Sequence, residues 1–492
     1  MAQPQTEANE GSLLLSNELS RYDSTCIHQD LPGAANAFDS YDKMKDEVKF
    51  IVKSSIPMIV TFFLQYCIPV ISVLSVGHLG SQELAAASLS IMSFSITGIS
   101  IFQGMTTSLD TLCAQAYGAG RYHLVGIYFQ RCSVLMLSVM VFLALIWWFS
   151  GTLLSVVVPD RELCFMAESF MRVLAFGAPG LIFFESGKRF LQAQKCFHAG
   201  TYVLVAVLPL NILLQYVLVW HPTTGMGFLG APLAMSITYW MMALLLLAYV
   251  LFIDGKACWG GLAIKQSFTN WWPMISLAFP GVVMVEAEFL AFEILTILAS
   301  QFGTEFLAAQ SIVANTSTIF FQIPFGISVA VSTRMAHCIG GGFPEGAKRV
   351  VKISACLGVI ISTLNCLAIA VLRKQICRLF SLEPEVVQLA SHVLLVLAVN
   401  QLVDGLNVTF AGCLRGQGRQ RIGSIWNLAS YYLVALPLCY VLAFKFDMKL
   451  YGLWIGLGIG VGFLALCEGL CIFWSNWPQI MIDAEKRNQE DS

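Results

Sequence analysis

The segment HLGSQELAAASL at residues 78–89 returns in related form as QFGTEFLAAQSI at residues 301–312. The segment CAQAYGAG at 113–120 aligns with MAHCIGGG at 335–342 at nearly the same separation along the chain. Two further pairs keep this separation within one residue: FLQAQ (190–194) with CLRGQ (413–417), and MGFLGAP (226–232) with MKLYGLW (448–454). Four blocks in one order favour a duplicated architecture over chance similarity among small-residue motifs.

Long apolar segments surround these blocks. The chain of 492 residues is 57% hydrophobic and only 12% charged, whereas soluble domains contain about 25% charged residues. A helix needs about 20 apolar residues to cross a bilayer. The sequence predicts twelve such helices, at residues 50–76, 85–116, 126–150, 165–187, 199–220, 228–253, 273–300, 306–333, 347–372, 386–411, 422–444 and 451–475. We therefore expect an all-α membrane protein with twelve transmembrane helices.

The repeat divides these helices into two halves. Because it spans an even number of helices, we expect two pseudo-symmetric six-helix bundles of the same orientation that flank a central cavity. The second, fourth, eighth and tenth helices carry many small or polar residues, so they should face protein or this cavity. The predicted division is a disordered tail (1–47), an N-terminal bundle (48–253), a linker (254–272), a C-terminal bundle (273–476) and a C-terminal tail (477–492).

The distribution of Lys and Arg predicts the orientation in the membrane. Most of these residues fall in loops and tails on the side of the two termini, and loops rich in positive charge stay in the cytosol. Both tails and the linker should therefore be cytosolic, with Arg373, Lys374 and Arg378 as an exception on the outer side. The sequence is compatible with a location in the plasma membrane or in the vacuolar membrane. We expect the protein to be a monomer.

Composition and motifs speak against several other classes of protein. The net charge of −2 gives no electrostatic case for nucleic-acid binding. The fifteen cysteines form no CxxC pair and the seven histidines form no HExxH motif, so neither a metal site nor a cofactor is expected. An integral membrane enzyme would need a nucleophile with its catalytic partners, or a set of metal ligands, near one face of the membrane. No residues of these types have a suitable spacing in the sequence. We therefore do not expect an enzyme.

Acidic residues lie inside two predicted spans of the second half. Glu286, Glu288 and Glu293 fall in the apolar stretch 273–300, and Asp404 falls in a later one. A carboxylate near the bilayer centre costs roughly 2.5–3.5 kcal/mol on insertion scales, so it should face a polar interior and have a function there. Burial makes a carboxylate hold its proton more tightly. The chain is therefore predicted to be a membrane transporter whose coupling chemistry lies in its second half.

Helical spacing predicts which polar groups lie together. Asn400, Asp404 and Asn407 share one helix face, so amides should flank the acid and hold it in either protonation state. The first and third glutamates of the seventh helix are seven residues apart and share a face, whereas the second points elsewhere. The alternative interpretation is that one or two of these glutamates only pair with buried polar groups across helices.

Several segments also resemble the multidrug and toxic compound extrusion (MATE) family, in its eukaryotic branch. The matching motifs, in family order over nearly all of residues 50–475, are GHLG (77–80), LDTLCAQAYGAG (109–120), AFPGVVMVEAEFLAFEIL (278–295), IPFGISVAVSTR (323–334) and RGQGRQ (415–420). The aspartate-threonine and RGxGxQ blocks are fairly specific, and GHLG is less so. The resemblance implies two bundles that form a V-shaped cleft and export organic solutes by proton or sodium antiport.

The resemblance also implies site residues in the second half. Family members of this branch carry a glutamate eight residues after a proline of the seventh helix and another five residues further on. After Pro280, these positions are Glu288 and Glu293. An acid of the tenth helix, ahead of the RGxGxQ turn, maps to Asp404. Glu286 departs from the family pattern, in which a small or apolar residue is expected there.

The first half matches the family less fully. Some family members place a coupling aspartate in the first helix, but residues 50–76 contain no acid and Gln65 is their main polar group. This puts a cation site in the first half in doubt. Asp110 matches a family position near the cytosolic mouth, where we expect it to help close the inner gate. Arg334 and Arg415 close the corresponding turns of the second half, and anchoring by the positive-inside rule is favoured for both.

These observations favour an antiporter that exchanges an organic solute, cationic or amphipathic, for protons by alternating access. Protons are preferred over sodium because the acids lack the dense oxygen cluster that hard cations require. The alternative is a flippase for lipids or lipid-linked oligosaccharides, which should have a cationic cavity for anionic headgroups. Only Arg172 is a basic residue deep in a predicted span, and Glu168, four residues before it, explains it as an internal pair.

Overall fold

The computed structural model describes residues 44–156, 160–381 and 383–490. The chain is almost entirely helical, and these ranges contain no β-strand. From Val48 onward, the described residues form one compact unit. The predicted disordered tail lies outside the described residues except for residues 44–47, which begin the first helix.

Each half of the described chain contributes six long helices. The first half contains α1 (Met44–Gly77), α2 (Ser81–Gly118), α3 (Tyr122–Trp148), α4 (Arg161–Ala193), α5 (Ala199–Trp220) and α6 (Gly227–Phe252). The second half contains α7 (Trp272–Ser300), α8 (Thr304–Gly340), α9 (Pro344–Phe380), α10 (Pro384–Gln417), α11 (Gln420–Lys445) and α12 (Lys449–Phe473). A final helix, α13 (Trp477–Glu490), forms most of the predicted C-terminal tail.

Twelve of these helices form the transmembrane part. Eleven are long and apolar enough to cross a membrane. The twelfth is α7, which contains 29 residues, three of them glutamates, and is long enough to span a hydrocarbon core of about 30 Å. The helices α2 and α8 begin at Ser81 and Thr304. The separation of these two residues along the chain equals that of the repeated sequence blocks. The prediction of two pseudo-symmetric six-helix bundles is confirmed.

Local sequence signals set several helix ends. Asp160 caps α4 by accepting a hydrogen bond from the Leu163 backbone N–H at 3.1 Å. Pro344 and Pro384 occupy the first turns of α9 and α10, where their missing N–H is not needed. Gly418 follows α10 with φ of 72°, a left-handed conformation that favours glycine at a helix end. The RGxGxQ segment therefore turns the chain sharply from α10 into α11.

Four helices are buried unevenly along their length. Every residue is buried in segments 104–116 of α2, 184–193 of α4, 326–339 of α8 and 407–417 of α10. In the amino-terminal halves of the same helices, buried and exposed residues alternate. Because these even-numbered helices run in the same direction, the bundles meet at the carboxy-terminal ends, which we call the closed side. They part toward the other ends, the open side, and this is the predicted V-shaped cleft.

Two glycines related by the repeat allow α2 and α8 to cross closely at the closed side. A Cβ atom at Gly118 would collide with the His337 carbonyl oxygen, and a Cβ atom at Gly340 would collide with the Gln115 carbonyl oxygen. Gly118 and Gly340 hold equivalent positions in the two halves. The pseudo-two-fold relation between the bundles is therefore centred near this crossing.

The helix α13 contacts both bundles at the closed side. Ile480, Met481 and Ala484 are buried among residues of the second bundle. Arg487 donates a hydrogen bond to Gln115 Oε1 of α2 at 3.1 Å. The C-terminal segment is thus an ordered helix that ties the two bundles together.

Candidate functional site

Three carboxylates of the second bundle lie close enough to interact. Electrostatic interactions link Glu288 of α7 to Asp404 of α10 and to Glu468 of α12. Tyr431 of α11, which is 1% exposed, interacts with all three. Arg415 of α10 interacts with Glu288 and Glu468. We call Glu288, Asp404 and Glu468 the carboxylate cluster, with Arg415 as a neighbouring cation.

Amide side chains from two helices orient Asp404. Gln401, one turn earlier on α10, directs its Nε2 to Asp404 Oδ2 at 3.5 Å. Gln401 Oε1 in turn accepts a hydrogen bond from Asn365 Nδ2 of α9 at 3.3 Å. Asn365 Nδ2 also lies 3.2 Å from the Phe320 carbonyl oxygen of α8. The acid is therefore connected to the bundle through a chain of polar groups.

The two asparagines predicted to flank Asp404 make other contacts. Asn400 donates to the Trp454 carbonyl oxygen at 2.7 Å, which ties α10 to α12. Asn400 and Asp404 line one small cavity together with Tyr431 and Trp454, so they do share a helix face. Asn407 is buried, and its Oδ1 accepts no hydrogen bond from the described residues. The amide that reaches Asp404 is Gln401, not either asparagine.

The glutamates of α7 point in different directions, as their spacing predicts. Glu286 accepts a hydrogen bond from Ser100 Oγ of α2, so it lies between the bundles and outside the carboxylate cluster. Glu288 faces the second bundle. Glu293 is half-buried and lies further along α7 toward the open side. The three acids therefore do not line a single spot.

A second set of buried charges lies in the first bundle. Gln65 of α1 donates to Glu185 Oε1 at 2.6 Å, and Lys188 donates to Gln65 Oε1 and to Glu185 Oε1, each at 3.0 Å. Arg189 forms an ion pair with Asp110 of α2 at 3.1 Å. These four charged residues are each at most 4% exposed. We call Glu185, Lys188, Arg189 and Asp110 the first-bundle charge cluster.

The prediction that only Arg172 is a basic residue deep in a span is wrong. Arg172 does pair with Glu168, but its side chain is 38% exposed. Lys188 and Arg189 of α4 are more deeply buried, at 1% and 3% exposed. They were missed because α4 continues to Ala193, beyond the predicted end of its span. Lys188 pairs with Glu185 of α4 itself, but Gln65 of α1 and Asp110 of α2 also hold these cations, and the sequence of α4 cannot indicate those two contacts.

Arg415 and Asp110 lie where the bundles meet at the closed side. Arg415 donates from Nη2 to Ser328 Oγ of α8 at 2.6 Å. Its carbonyl oxygen accepts a hydrogen bond from Thr111 Oγ1 of α2 at 2.5 Å. Asp110, adjacent to Thr111, interacts electrostatically with Arg415 in addition to its ion pair within the first bundle. Arg415 thus belongs to the second bundle and touches the first.

The two arginines predicted at the turns of the second half are both buried. Arg334 is 2% exposed and Arg415 is 7% exposed. The Arg334 guanidinium lies 5.3 Å from the centre of the Phe50 ring of α1. Burial and contacts across the bundles favour a structural role at the closed side over anchoring at the lipid headgroups.

Glu468, which the acids of α7 and α10 do not reveal, has a signal of its own in the sequence. Glu468 stands alone in the apolar stretch FLALCEGLCIF of α12, as Asp404 does in α10. The same rule that a lone acid in a span has a function therefore applied to it. The sequence contained no signal for Asn365, because its contact with Gln401 depends on how α9 packs against α10.

Comparison with known proteins finds relatives along nearly the whole chain. The family model MatE matches two segments, residues 57–217 and 280–441, one in each half. The uncharacterized transporter YDR338C of Saccharomyces cerevisiae is 43% identical over 464 residues, which cover 94% of this chain and 66% of the yeast protein. Protein DETOXIFICATION 16 of Arabidopsis thaliana is 36% identical over 454 residues, which cover 91% of this chain and 92% of that protein. The chain thus spans slightly less than two thirds of the yeast protein.

Solved structures of similar architecture also exist. The eukaryotic MATE transporter AtDTX14 matches with a TM-score of 0.85 and 30% identity, over 90% of this chain and 99% of that one. A MOP superfamily transporter from Pyrococcus furiosus matches with a TM-score of 0.79 over 87% of this chain and 95% of that one. At 19% identity, this second likeness concerns the fold alone.

Proposed function

Because the chain belongs to the MatE family of membrane transporters, we propose that it is a secondary active antiporter that exports organic solutes in exchange for protons. The observation that carries this proposal is the carboxylate cluster, in which Glu288 and Asp404 interact within the second bundle. A carboxyl group removed from water favours its neutral, protonated form. Hydration of the cleft therefore changes how tightly the cluster holds protons.

Competition between proton and substrate supplies the coupling. When water reaches the carboxylate cluster, the acids release protons, and the ionised cluster attracts a cation. When protons return, the negative charge that holds the cation is lost. A tenfold change in proton affinity corresponds to about 1.4 kcal/mol, so modest changes in hydration suffice. Each protonation state then favours a different opening of the two bundles, which is the requirement for alternating access.

The surroundings of Asp404 support protons over sodium as the coupling ion. Sodium is a hard cation and prefers several oxygen ligands at close range. Gln401 turns its Nε2, a donor and not an oxygen, toward Asp404. Asn400 directs its amide nitrogen to the Trp454 carbonyl oxygen. Within the ranges that the structure describes, no three His, Cys, Asp or Glu residues are arranged to hold a metal ion.

The charges of the two bundles support an organic cation or a cationic amphipath as the substrate. Glu286 and Glu293 add acidic groups to α7 outside the carboxylate cluster. A lipid or lipid-linked oligosaccharide flippase would need unpaired cations for anionic headgroups. In the first-bundle charge cluster, Lys188 is paired with Glu185 and Arg189 with Asp110. Paired cations do not make a headgroup site, so the flippase is the weaker alternative.

The positive-inside rule supports cytosolic termini. In that orientation the closed side faces the cytosol, and the open side faces the cell exterior or the vacuolar lumen. We propose that Asp110, Arg334 and Arg415 form the inner gate at the closed side. One chain contains both bundles and the whole cleft, which supports a transporter that acts as a monomer.

Transport by purified protein in proteoliposomes tests this function. An imposed pH gradient should drive accumulation of ethidium, a fluorescent organic cation, equally well with and without sodium. Liposomes without protein supply the background. Accumulation driven only by a sodium gradient at clamped pH would contradict proton coupling.

A further inference from the structure

Glu468 is a fully buried acid with incomplete hydrogen bonding. It is 0% exposed. Its Oε1 lies 3.4 Å from the donor Asn427 Nδ2 of α11, and its Oε2 has no hydrogen-bond partner among the described residues. An ionised carboxylate with an unpaired oxygen in a protein interior is strongly destabilising. The protonated form removes the charge and needs fewer partners.

The position of Glu468 joins it to the carboxylate cluster. At Gly423 of α11, a Cβ atom would lie 2.7 Å from Met284 Cε of α7 and 3.5 Å from Glu468 Oε1. Since α7, α11 and α12 all meet at this glycine, no larger side chain separates them. Met284 precedes Glu288 by one turn of α7. Glu468 therefore lies on the flank of the cluster nearest to the closed side.

Titratable and charged groups face Glu468 from the helices packed around it. They are Glu288 of α7, Arg415 and Cys413 of α10, Tyr431 of α11 and Cys467 of α12 itself. Tyr431 also interacts with Asp404, which connects all three acids. About one turn beyond Glu468, Arg419 donates to the Cys471 carbonyl oxygen at 3.2 Å. Arg415 is thus the cation that interacts with both Glu288 and Glu468.

The carboxylate cluster has more acidic groups than cationic groups. The first-bundle charge cluster contains two carboxylates and two cations and is neutral by itself. Arg415 interacts with Asp110 of that cluster and is also the cation that interacts with Glu288 and Glu468. Three ionised carboxylates beside one guanidinium leave two uncompensated negative charges, and Glu468 is the fully buried member of the three. Two protons neutralise the group, whereas one proton would suffice if Glu468 were absent.

We propose that Glu468 is a third proton-binding residue of the coupling site and that it raises the number of protons the neutral cluster holds from one to two. This inference rests on the proposed function, because it extends the same site. Each step adds one proton to one carboxylate oxygen and requires no other reactant. Arg415 remains charged throughout.

Infrared spectroscopy of the purified protein tests the proposal. Protonated carboxyl groups have a distinct C=O stretching band, and exposed carboxylates are ionised between about pH 6 and about pH 8. In this window we expect Glu468→Gln to lose one protonated carboxyl group relative to the wild type, whereas Glu468→Asp keeps it. Glu345→Gln changes an exposed acid whose side chain is 69% accessible, and this matched control should leave the band unchanged.

A second variant leaves Glu468 in place and covers the case in which Glu468→Gln does not fold. Asn427→Leu removes the hydrogen-bond donor to Oε1, so the C=O band of a protonated Glu468 should move to higher frequency. In transport, Glu468→Gln should shift the pH midpoint by about one unit toward acidic values, as expected for interacting acids. Glu345→Gln should show the wild-type midpoint.

The outcomes separate this proposal from the proposed function. If the wild type responds to a pH gradient but neither Glu468→Gln nor Asn427→Leu changes the band, Glu468 is not a proton site and proton antiport stands. If the C=O band changes in the variants but a pH gradient does not drive transport by the wild type, Glu468 binds a proton and the proposed antiport is wrong. An unchanged transport midpoint together with an unchanged band would overturn the assignment of Glu468.

Discussion

Glu288 interacts with acids from two other helices and with Arg415, so its charge affects every member of the carboxylate cluster. We predict that Glu288→Gln lowers uptake driven by a pH gradient by at least about a hundredfold, the scale of losing a proton-transfer group. Protein yield should change little, because the amide has the same shape and only the titratable charge is removed. Initial rates in proteoliposomes measure the effect, with Glu345→Gln as the matched control. A wild-type rate in correctly inserted protein would move the coupling role to another acid.

Asp404 allows a different prediction, because it interacts with Glu288 and is oriented by Gln401. Removing one negative charge makes the remaining carboxylates easier to ionise. Asp404→Asn should therefore slow transport and shift the residual activity by about one pH unit toward acidic values, as measured by a pH–rate profile. Asp110→Asn is the comparison: it leaves Arg189 without its ion pair and should mainly reduce folded protein. An unchanged pH–rate profile and an unchanged rate for Asp404→Asn would show that Asp404 has only a packing or hydrogen-bonding role.

At the residue scale, the sequence predicts acids better than it predicts their partners. An acid in an apolar span is visible in the sequence, and this signal identifies Glu288 and Asp404. The partners of these acids come from other helices and depend on packing. Asn365 reaches Gln401 from α9, and Gln65 reaches Glu185 across 120 residues of sequence. Helical spacing alone therefore assigned the amide role to Asn400 and Asn407 and overlooked Gln401.

At the scale of helices, the crossing of α2 and α8 holds the closed side together. A methyl group at Gly340 would collide with the backbone of Gln115, so Gly340→Ala should force the helices apart. Overpacking costs about 1–3 kcal/mol, which corresponds to roughly tenfold or more in the population of an opened state. We predict a matching increase in the labelling rate of Cys113 of α2, which is 0% exposed, by a water-soluble maleimide.

A matched substitution controls for the loss of glycine itself. At Gly462 of α12, the nearest atom to an added Cβ would be Val403 Cγ1 at 3.7 Å, an ordinary contact. Gly462→Ala should therefore leave the labelling of Cys113 unchanged, as read by mass spectrometry of its peptide. Equal labelling rates in Gly340→Ala and the wild type would show that the crossing does not control the closed side.

The helices themselves are largely predictable because hydropathy and the repeat constrain them independently. The first residues of α2 and α8 are separated along the chain by the same number of residues as the repeated sequence blocks. Helix ends are less predictable, and α4 shows the reason. The C-terminal part of α4 carries Glu185, Lys188 and Arg189. By hydropathy these residues resemble a loop, but ion pairs and Gln65 stabilise them in the helix. Tertiary contacts thus decide where this helix ends.

At the scale of the whole molecule, the two bundles differ in their buried charge. The first-bundle charge cluster is paired within itself, whereas the carboxylate cluster has more acids than cations. Protonation therefore changes the charge of one bundle and leaves the other nearly constant. Arg415 lies between them, since it interacts with Glu468 and with Asp110. In the proposed mechanism, we expect Arg415 to link a change of charge in the second bundle to the closed side.

In the proposed mechanism, protons and an organic cation compete for the carboxylate cluster. Purified protein in a weakly buffered solution near neutral pH tests it most directly, because ethidium added to this solution should displace protons that a pH-sensitive dye detects. We predict proton release that saturates with ethidium in the wild type and in Glu345→Gln, and little or no release in Glu288→Gln. Ethidium binding of the same affinity at every pH, without proton release from the wild type, would contradict the account.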